Sequence, residues 1–161
     1  MRNLLFLDID GVLNTREFLR DQPTRDPRWD LMPEKVRLLA DWLVDQNNLD
    51  VVLCSDWRLF YPLPMIQRAL RHWAPHFPTI AGVTPDTIDG VRGDEILLYL
   101  EGQLEHSCVN SVVVLDDDPA AGRNGLHSVL VQTSAWVGLM PRNLERMAAL
   151  LSMPNNVRNV L

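Results

Sequence analysis

Leu4-Leu5-Phe6-Leu7-Asp8-Ile9-Asp10-Gly11 is the stretch that decides the fold, because an apolar run leads directly into two acidic residues and a glycine. An apolar run without polar alternation is typical of a strand buried on both faces, as in a parallel sheet that carries helices on each side. The carboxyl end of such a strand is where open α/β folds bind their ligands. The pattern therefore predicts a buried first strand that delivers Asp8 and Asp10 to the functional edge of a sheet.

The two acidic residues of this stretch need a positive charge between them. Asp8 and Asp10 start on the same side of an extended chain, and Gly11 permits a sharp turn just after them. Two carboxylates about 4 to 6 Å apart repel each other by roughly 3 to 4 kcal/mol at an effective dielectric constant near 20. One of them must take up a proton, or a cation must sit between them. Carboxylate oxygens suit a hard divalent ion, so the sequence predicts Mg²⁺.

The overall composition is that of a globular domain. The chain has 161 residues, 47% of them apolar and 22% charged, which is ordinary for one domain with a core. The formal net charge of -6 argues against non-specific binding to nucleic acid or to a membrane, since both require a basic surface. No apolar run reaches the roughly 18 residues of a membrane span, and Cys54 and Cys108 do not form a disulfide framework. We expect a cytoplasmic protein with one domain, residues 1–161.

Two later apolar runs also end in polar residues. Val51-Val52-Leu53-Cys54 leads into Ser55-Asp56-Trp57-Arg58, and Ser111-Val112-Val113-Val114-Leu115 leads into Asp116-Asp117-Asp118-Pro119. A helix lies between the first and second strands, which implies a right-handed crossover and a parallel pair. Because parallel strands end at the same edge of a sheet, these polar residues are expected to meet Asp8 and Asp10. Three adjacent acids are more than the cap of a short helix requires, and Asp118 alone is placed to serve as that cap.

The remaining elements form the scaffold. Pro33 begins the first long helix, and further helices are predicted over Met65–Trp73, from an N-cap at Asp94, and from Pro141. Short strands are predicted over Thr79–Val83 and His127–Val131, and residues 155–161 are expected to fray. The segment Thr133–Met140, which contains Trp136, is expected at the same end of the sheet as the acids, where it would border the substrate.

Residues 14–32 are interpreted as a short flap, a loop or hairpin that covers the site in place of a large cap domain. The arginines of this flap are Arg16, Arg20, Arg25 and Arg28. Arginine side chains there can grip a phosphate through paired hydrogen bonds. The alternative is a solvated flap whose arginines pair with Glu17, Asp21 and Asp26.

Asp8-Ile9-Asp10-Gly11-Val12 resembles the D-x-D-G-x motif of the haloacid dehalogenase-like hydrolases, most of which are Mg²⁺-dependent phosphatases. The family's serine, basic residue and D-D pair follow in the expected order, so the matching positions span residues 8 to 117. The resemblance implies a Rossmann-like three-layer α/β/α sandwich with a mostly parallel sheet and the first strand at its centre. The segments Ser-Asp-Trp-Arg and Leu-Asp-Asp-Asp are most similar to a small capless branch found alone or fused to RNA-repair enzymes.

The resemblance also implies a role for each matching residue. Asp8 would be the nucleophile that forms an aspartyl-phosphate, and Asp10 would act as general acid and then as general base. Ser55 and Arg92 would bind phosphoryl oxygens, with Arg92 where the family usually has lysine. The Mg²⁺ ligands would be Asp8, the backbone carbonyl of Asp10, Asp116 and Asp117. We also assign Gly11, Asp56 and Arg58 to phosphate binding, Arg58 because it falls in the first turn of a predicted helix.

The function expected from these residues is hydrolysis of a phosphomonoester, either a small molecule or a nucleotide or polynucleotide end. One alternative is a phospho-accepting signalling receiver. In a receiver the acidic pair follows the first strand and the accepting aspartate follows a later one, whereas here a spaced D-x-D comes first, which disfavours this alternative. Another is a non-catalytic Mg²⁺-binding module, because the guanidinium of Arg92 is bulkier than an ammonium group and is no compact point charge. A Toprim-type nuclease would have an early glutamate and a late D-x-D, which is the reverse of the order seen here.

Overall fold

Five parallel strands form one sheet in the computed structural model, which describes residues 2–21, 26–104, 109–153 and 156–159. The strands are β1 (Arg2–Leu7), β2 (Leu49–Leu53), β3 (Ile80–Val83), β4 (Val109–Asp116) and β5 (Leu130–Gln132). Their order across the sheet is β3-β2-β1-β4-β5, and each neighbouring pair is parallel. The first strand is therefore central, as predicted.

Helices follow most of the strands. They are α1 (Arg16–Arg20), α2 (Pro33–Val44), α3 (Trp57–Phe60), α4 (Leu63–Trp73), α5 (Arg92–Leu104) and α6 (Pro141–Leu151). Short 3₁₀ turns cover Pro119–Gly122, Leu126–Ser128 and Asn156–Asn159. Within the described ranges, every helix is too short or too polar to cross a membrane.

Alternate residues of β1 face two different layers of helices. Leu5 and Leu7 belong to an apolar cluster with residues of α2, α4 and α6, whereas Leu4 and Phe6 belong to a second cluster with residues of α5. All four side chains are 0% exposed. Burial of each contributes roughly 1.5 to 3 kcal/mol to the folded state. The sheet is thus covered on both faces, which confirms the three-layer α/β/α architecture.

Several predicted boundaries differ from those in the structure. The flap contains α1, because the Thr15 side chain accepts a hydrogen bond from the backbone N–H of Phe18 and caps a helical turn. Helix α5 begins at Arg92, so Asp94 lies in its first turn and is not its N-cap. The last strand begins only at Leu130, since a 3₁₀ turn occupies residues 126–128. Pro23, Arg25 and Cys108 lie outside the described residues.

Residues 156–159, the described part of the C-terminal segment, pack against β4. The prediction that residues 155–161 fray is therefore wrong for these four residues. Val112 of β4 lies beyond the end of β5, whose pairing with β4 covers only residues 114–116. The Asn156 side chain replaces the missing strand: it accepts from Val112 N–H at 2.7 Å and donates to Val112 C=O at 3.1 Å. Val157 is 4% exposed and joins the α5 cluster.

Candidate active site

The carboxyl ends of β1, β2 and β4 surround a cavity of about 450 Å³. The residues that line it are Asp8, Asp10, Arg16, Ser55, Asp56, Arg92, Asp116, Asp117, Asp118 and Pro119. Among the residues predicted for the site, Gly11 and Arg58 alone are absent from this lining. The lining carries six carboxylates and two guanidinium groups, so it is strongly acidic.

Three of these carboxylates form a group that fits a divalent cation. Asp8, Asp116 and Asp117 each offer an oxygen, and these oxygens lie within 4.8 Å of one another. Asp8 is 5% exposed and Asp116 is 0% exposed. Burial raises the pKa of Asp8 to about 6, and burial together with the charge of Asp8 raises the pKa of Asp116 to about 8. A donor set made only of carboxylate oxygens suits a hard cation better than zinc, which favours nitrogen and sulfur ligands.

Arg92 lies against the two buried acids. Its Nη1 is 3.1 Å from Asp8 Oδ1 and 3.2 Å from Asp116 Oδ2, and its Nη2 is 3.0 Å from Asp56 Oδ1. Burial disfavours the charged guanidinium, but the surrounding carboxylates outweigh burial and raise its pKa. Arg92 is therefore a cation held beside the candidate nucleophile, where the resembled family usually has lysine.

Ser55 also lies at the carboxylate of Asp8. Its side chain forms a hydrogen bond with the Asp8 carboxylate, which also accepts from the backbone N–H of Ile9. Ser55 is 1% exposed, and its hydroxyl accepts a hydrogen bond from the backbone N–H of Trp57 at 3.4 Å. The serine at the end of β2 is thus brought to the acid at the end of β1, because the two strands are neighbours.

Two residues that sequence reasoning did not assign hold the carboxylate of Asp10. Asn14 Nδ2 donates to Asp10 Oδ1 at 2.7 Å, and Trp57 Nε1 donates to the same oxygen at 3.1 Å. Asn14 is 0% exposed and also donates to the carbonyl of Asp30 at 2.9 Å. The signal for Asn14 was its position four residues after Asp10 in a turn. No local signal links Trp57 to Asp10.

Gly11 has a role in the turn after β1, and its assignment to phosphate binding stays a prediction. The N–H of Gly11 donates to Asn14 Oδ1 at 3.0 Å and is therefore already used. Gly11 has a φ of +74°, and a Cβ at this position would lie 2.6 Å from Asp117 Oδ2. The glycine is required because the loop after β1 turns through a left-handed conformation and approaches Asp117 closely.

Arg58 and Asp56 also make contacts within the protein, and their assignment to phosphate binding stays a prediction. The Arg58 side chain is only 4% exposed and pairs with the buried Glu95 at 2.7 Å. Its remaining N–H groups donate to the carbonyls of Cys54, Ser55, Thr84 and Pro85. Asp56 contacts Arg92 at 3.0 Å and Arg58 at 3.5 Å, and a carboxylate repels a phosphate. The two residues therefore organise the loop after β2, and the missed residue Glu95 links Arg58 to α5.

The described arginines of the flap have different partners. Arg20 pairs with Asp21 at 3.3 Å and Arg28 pairs with Asp26, as the solvated-flap alternative expects. Arg16 instead lines the acidic cavity. Arg16 is therefore the described flap arginine that reaches the candidate site.

Comparison with known proteins identifies the family. A family model described as "HAD domain in Swiss Army Knife RNA repair proteins" matches residues 4–144, which include every residue discussed for the site. No curated protein and no solved structure matches the chain. The matched segment contains the whole parallel sheet from Leu4 onwards, in agreement with the fold and the order of the motifs. The chain therefore belongs to the family of HAD domains found in Swiss Army Knife RNA repair proteins and is a HAD-type hydrolase domain.

Proposed function

We propose that this domain is a Mg²⁺-dependent phosphomonoester hydrolase whose nucleophile is Asp8. The observation that carries the proposal is the environment of the Asp8 carboxylate. It is buried, it contacts Arg92 and Ser55, and it lies within 4.8 Å of the carboxylates of Asp116 and Asp117. A nucleophile for phosphoryl transfer needs these neighbours, because charge on the phosphoryl oxygens must be offset where the new bond forms.

The candidate ligands of the cation are Asp8, Asp116, Asp117 and the backbone carbonyl of Asp10. When bound, Mg²⁺ would neutralise the carboxylates and polarise the phosphoryl oxygens. The charge of the cavity supports this assignment, since six carboxylates against two guanidinium groups would otherwise repel a phosphate dianion.

The chain's own residues perform the two chemical steps of the proposal. An oxygen of Asp8 attacks phosphorus while the bond to the leaving alcohol breaks, and Asp10 donates a proton to that alcohol. Asp10 then accepts a proton from water, whose oxygen attacks phosphorus and releases inorganic phosphate and free Asp8. The Ser55 hydroxyl and the Arg92 guanidinium stabilise the equatorial oxygens in both steps.

The hydrogen bonds of Asp10 support its part in this scheme. Asn14 and Trp57 both donate to Oδ1, so the transferable proton is carried by Oδ2.

The substrate is proposed to be a phosphorylated small molecule or nucleic-acid end. The family description names RNA repair, and a short flap over residues 14–32 in place of a large cap would leave the site open to a bulky phosphate.

A second candidate function is a non-catalytic or phospho-accepting Mg²⁺-binding module. The contacts of Arg92 with Asp8 at 3.1 Å and Asp116 at 3.2 Å favour a module without turnover, because a carboxylate that is paired with a guanidinium is a weaker nucleophile. The two candidates differ in whether phosphate is released.

The test is turnover of p-nitrophenyl phosphate with Mg²⁺, with excess chelator, and with Asp8→Asn. We expect phosphate release that requires Mg²⁺ and falls by several orders of magnitude in Asp8→Asn. Turnover that survives in Asp8→Asn would reject Asp8 as the nucleophile. A stable phosphoryl adduct on Asp8 without phosphate release would establish the phospho-accepting module instead.

A further inference from the structure

A large aromatic side chain is exposed next to the acidic cavity. Trp136 lies in the segment between β5 and α6 and is 64% exposed. Exposed indole rings are uncommon, because removing their large apolar surface from water is favourable. An indole that stays exposed on a well-held loop is therefore a candidate contact for a ligand.

The loop that carries Trp136 is tied to the loop that carries Asp10. Thr133 Oγ1 donates to the carbonyl of Gly11 at 2.7 Å, and Leu139 N–H donates to the carbonyl of Val12 at 2.8 Å. A third bond runs from Arg16 N–H to the carbonyl of Ala135 at 2.8 Å. These bonds lie on both sides of Trp136 in sequence. The position of the indole is therefore coupled to the position of the candidate acid and base.

Arg16 joins the indole to the phosphate cavity. Its guanidinium carbon lies over the Trp136 ring, 5.7 Å from the ring centroid, in a cation–π arrangement. Arg16 also lines the cavity together with Asp8 and Asp117. A substrate whose phosphate is held in the cavity and whose leaving group extends past Arg16 would therefore meet Trp136.

We infer that Arg16 and Trp136 form a subsite for the base of a nucleoside phosphate, on the leaving-group side of the phosphate cavity. The inference rests on the proposed function for the position of the phosphate. An exposed aromatic face beside an arginine is the arrangement on which nucleobases stack, and stacking accepts any base because every base has a π face. Arg16 and Arg92 are the two guanidinium groups in the lining of the acidic cavity, and Arg16 is the one that contacts Trp136.

The test compares the affinity of two ligands that differ in the base alone. All titrations use the Asp8→Asn background, which should not hydrolyse these ligands. Adenosine 5′-monophosphate and ribose 5-phosphate are titrated calorimetrically, in the presence of Mg²⁺, into this protein with Trp136 intact, with Trp136→Ala and with Trp136→Phe. We expect Trp136→Ala to weaken binding of the nucleotide about 5- to 150-fold, the usual range for loss of a stacked aromatic residue. Ribose 5-phosphate should bind all three proteins equally, and Trp136→Phe should retain most of the nucleotide affinity. Adenosine 3′-monophosphate is titrated alongside to allow for either position of the phosphate.

The matched control is Val137→Ala, which shortens the neighbouring side chain, itself 43% exposed, and leaves the indole in place. In the same background it should bind both ligands as the protein with Trp136 and Val137 intact does. An equal loss for nucleotide and ribose phosphate in Trp136→Ala would mean that the indole only supports the loop, and no loss for the nucleotides would likewise overturn the subsite. Because Asp8→Asn should not turn over, the readout is binding alone: base-dependent affinity here, with no phosphate release by the wild type, would refute the proposed hydrolysis and leave the subsite standing.

Discussion

Trp57 donates the hydrogen of its indole nitrogen to Asp10 Oδ1 at 3.1 Å. The tryptophan is 6% exposed and follows β2, whereas Asp10 follows β1, so this bond joins the loops after two neighbouring strands. Together with the bond from Asn14 to the same oxygen, it orients the carboxylate that is proposed to transfer the proton.

Trp57→Phe should therefore reduce turnover most for substrates whose leaving group must be protonated, and least for substrates whose leaving group departs without a proton. Removing one hydrogen bond of about 1 to 1.5 kcal/mol predicts a loss of roughly 5- to 10-fold for alkyl phosphates. Nitrophenyl phosphates, whose leaving group needs little protonation, should lose almost nothing. The measurement is kcat/KM across a series of aryl and alkyl phosphates. A loss of equal size for every leaving group would assign Trp57 to folding or binding instead.

Arg92→Gln should lower kcat by about 100-fold or more, because it removes the cation beside Asp8 that is proposed to stabilise the phosphoryl oxygens. Arg92→Lys should recover much of the activity, since an ammonium group restores the charge although not the contact with Asp56. Steady-state kinetics of both variants with p-nitrophenyl phosphate makes the comparison. A rise in activity in Arg92→Gln would show that the guanidinium competes with the cation for the carboxylates.

The stability of the metal-free protein should fall as the pH rises from about 4 to about 8. Burial raises the pKa of Asp8 to about 6 and that of Asp116 to about 8, above the ordinary value of 3.8. The folded protein therefore binds these protons more tightly than the unfolded chain, and ionisation of the two acids costs stability through this pH range. Mg²⁺ needs the ionised carboxylates and should offset that cost.

Thermal unfolding with and without Mg²⁺ checks this prediction. The increase in Tm caused by Mg²⁺ should be clearly larger at pH 8 than at pH 5.5, and Asp117→Asn should reduce it at both values. An increase that does not change with pH would argue that the cation binds away from Asp8 and Asp116.

Arg58→Met should destabilise the fold by roughly 3 to 5 kcal/mol, because it leaves the buried carboxylate of Glu95 without its closest partner. It also removes the hydrogen-bond donor of several backbone carbonyls. Urea unfolding gives the free energy. The matched control is Arg20→Met, which removes an exposed pair with Asp21 and should not change stability measurably. Unchanged stability in Arg58→Met would contradict the structural role given to Arg58.

Much of the fold and the position of the site followed from local patterns. Leu4–Leu7 predicted a central buried strand because an uninterrupted apolar run is typical of a strand buried on both faces, as in a covered parallel sheet. The three acidic or polar strand ends were expected to meet because parallel strands share an edge. The structure brings Asp8, Ser55 and Asp116 to one cavity. The sequence predicted a loop or hairpin where the structure has a helix over Arg16–Arg20. A helix this short depends on its cap and its contacts more than on periodicity.

The sequence by itself determined the parallel sheet, the strand at its centre, the edge where the acids gather and the family, because apolar runs and the acids that follow them are local features. Only the tertiary structure decided the partners of the long side chains. Arg58 turns into the protein towards Glu95, Arg92 turns towards Asp8, and Trp57 reaches Asp10 from another strand. A flexible side chain is directed by whichever buried charges and unpaired carbonyls surround it, and those neighbours come from distant parts of the chain.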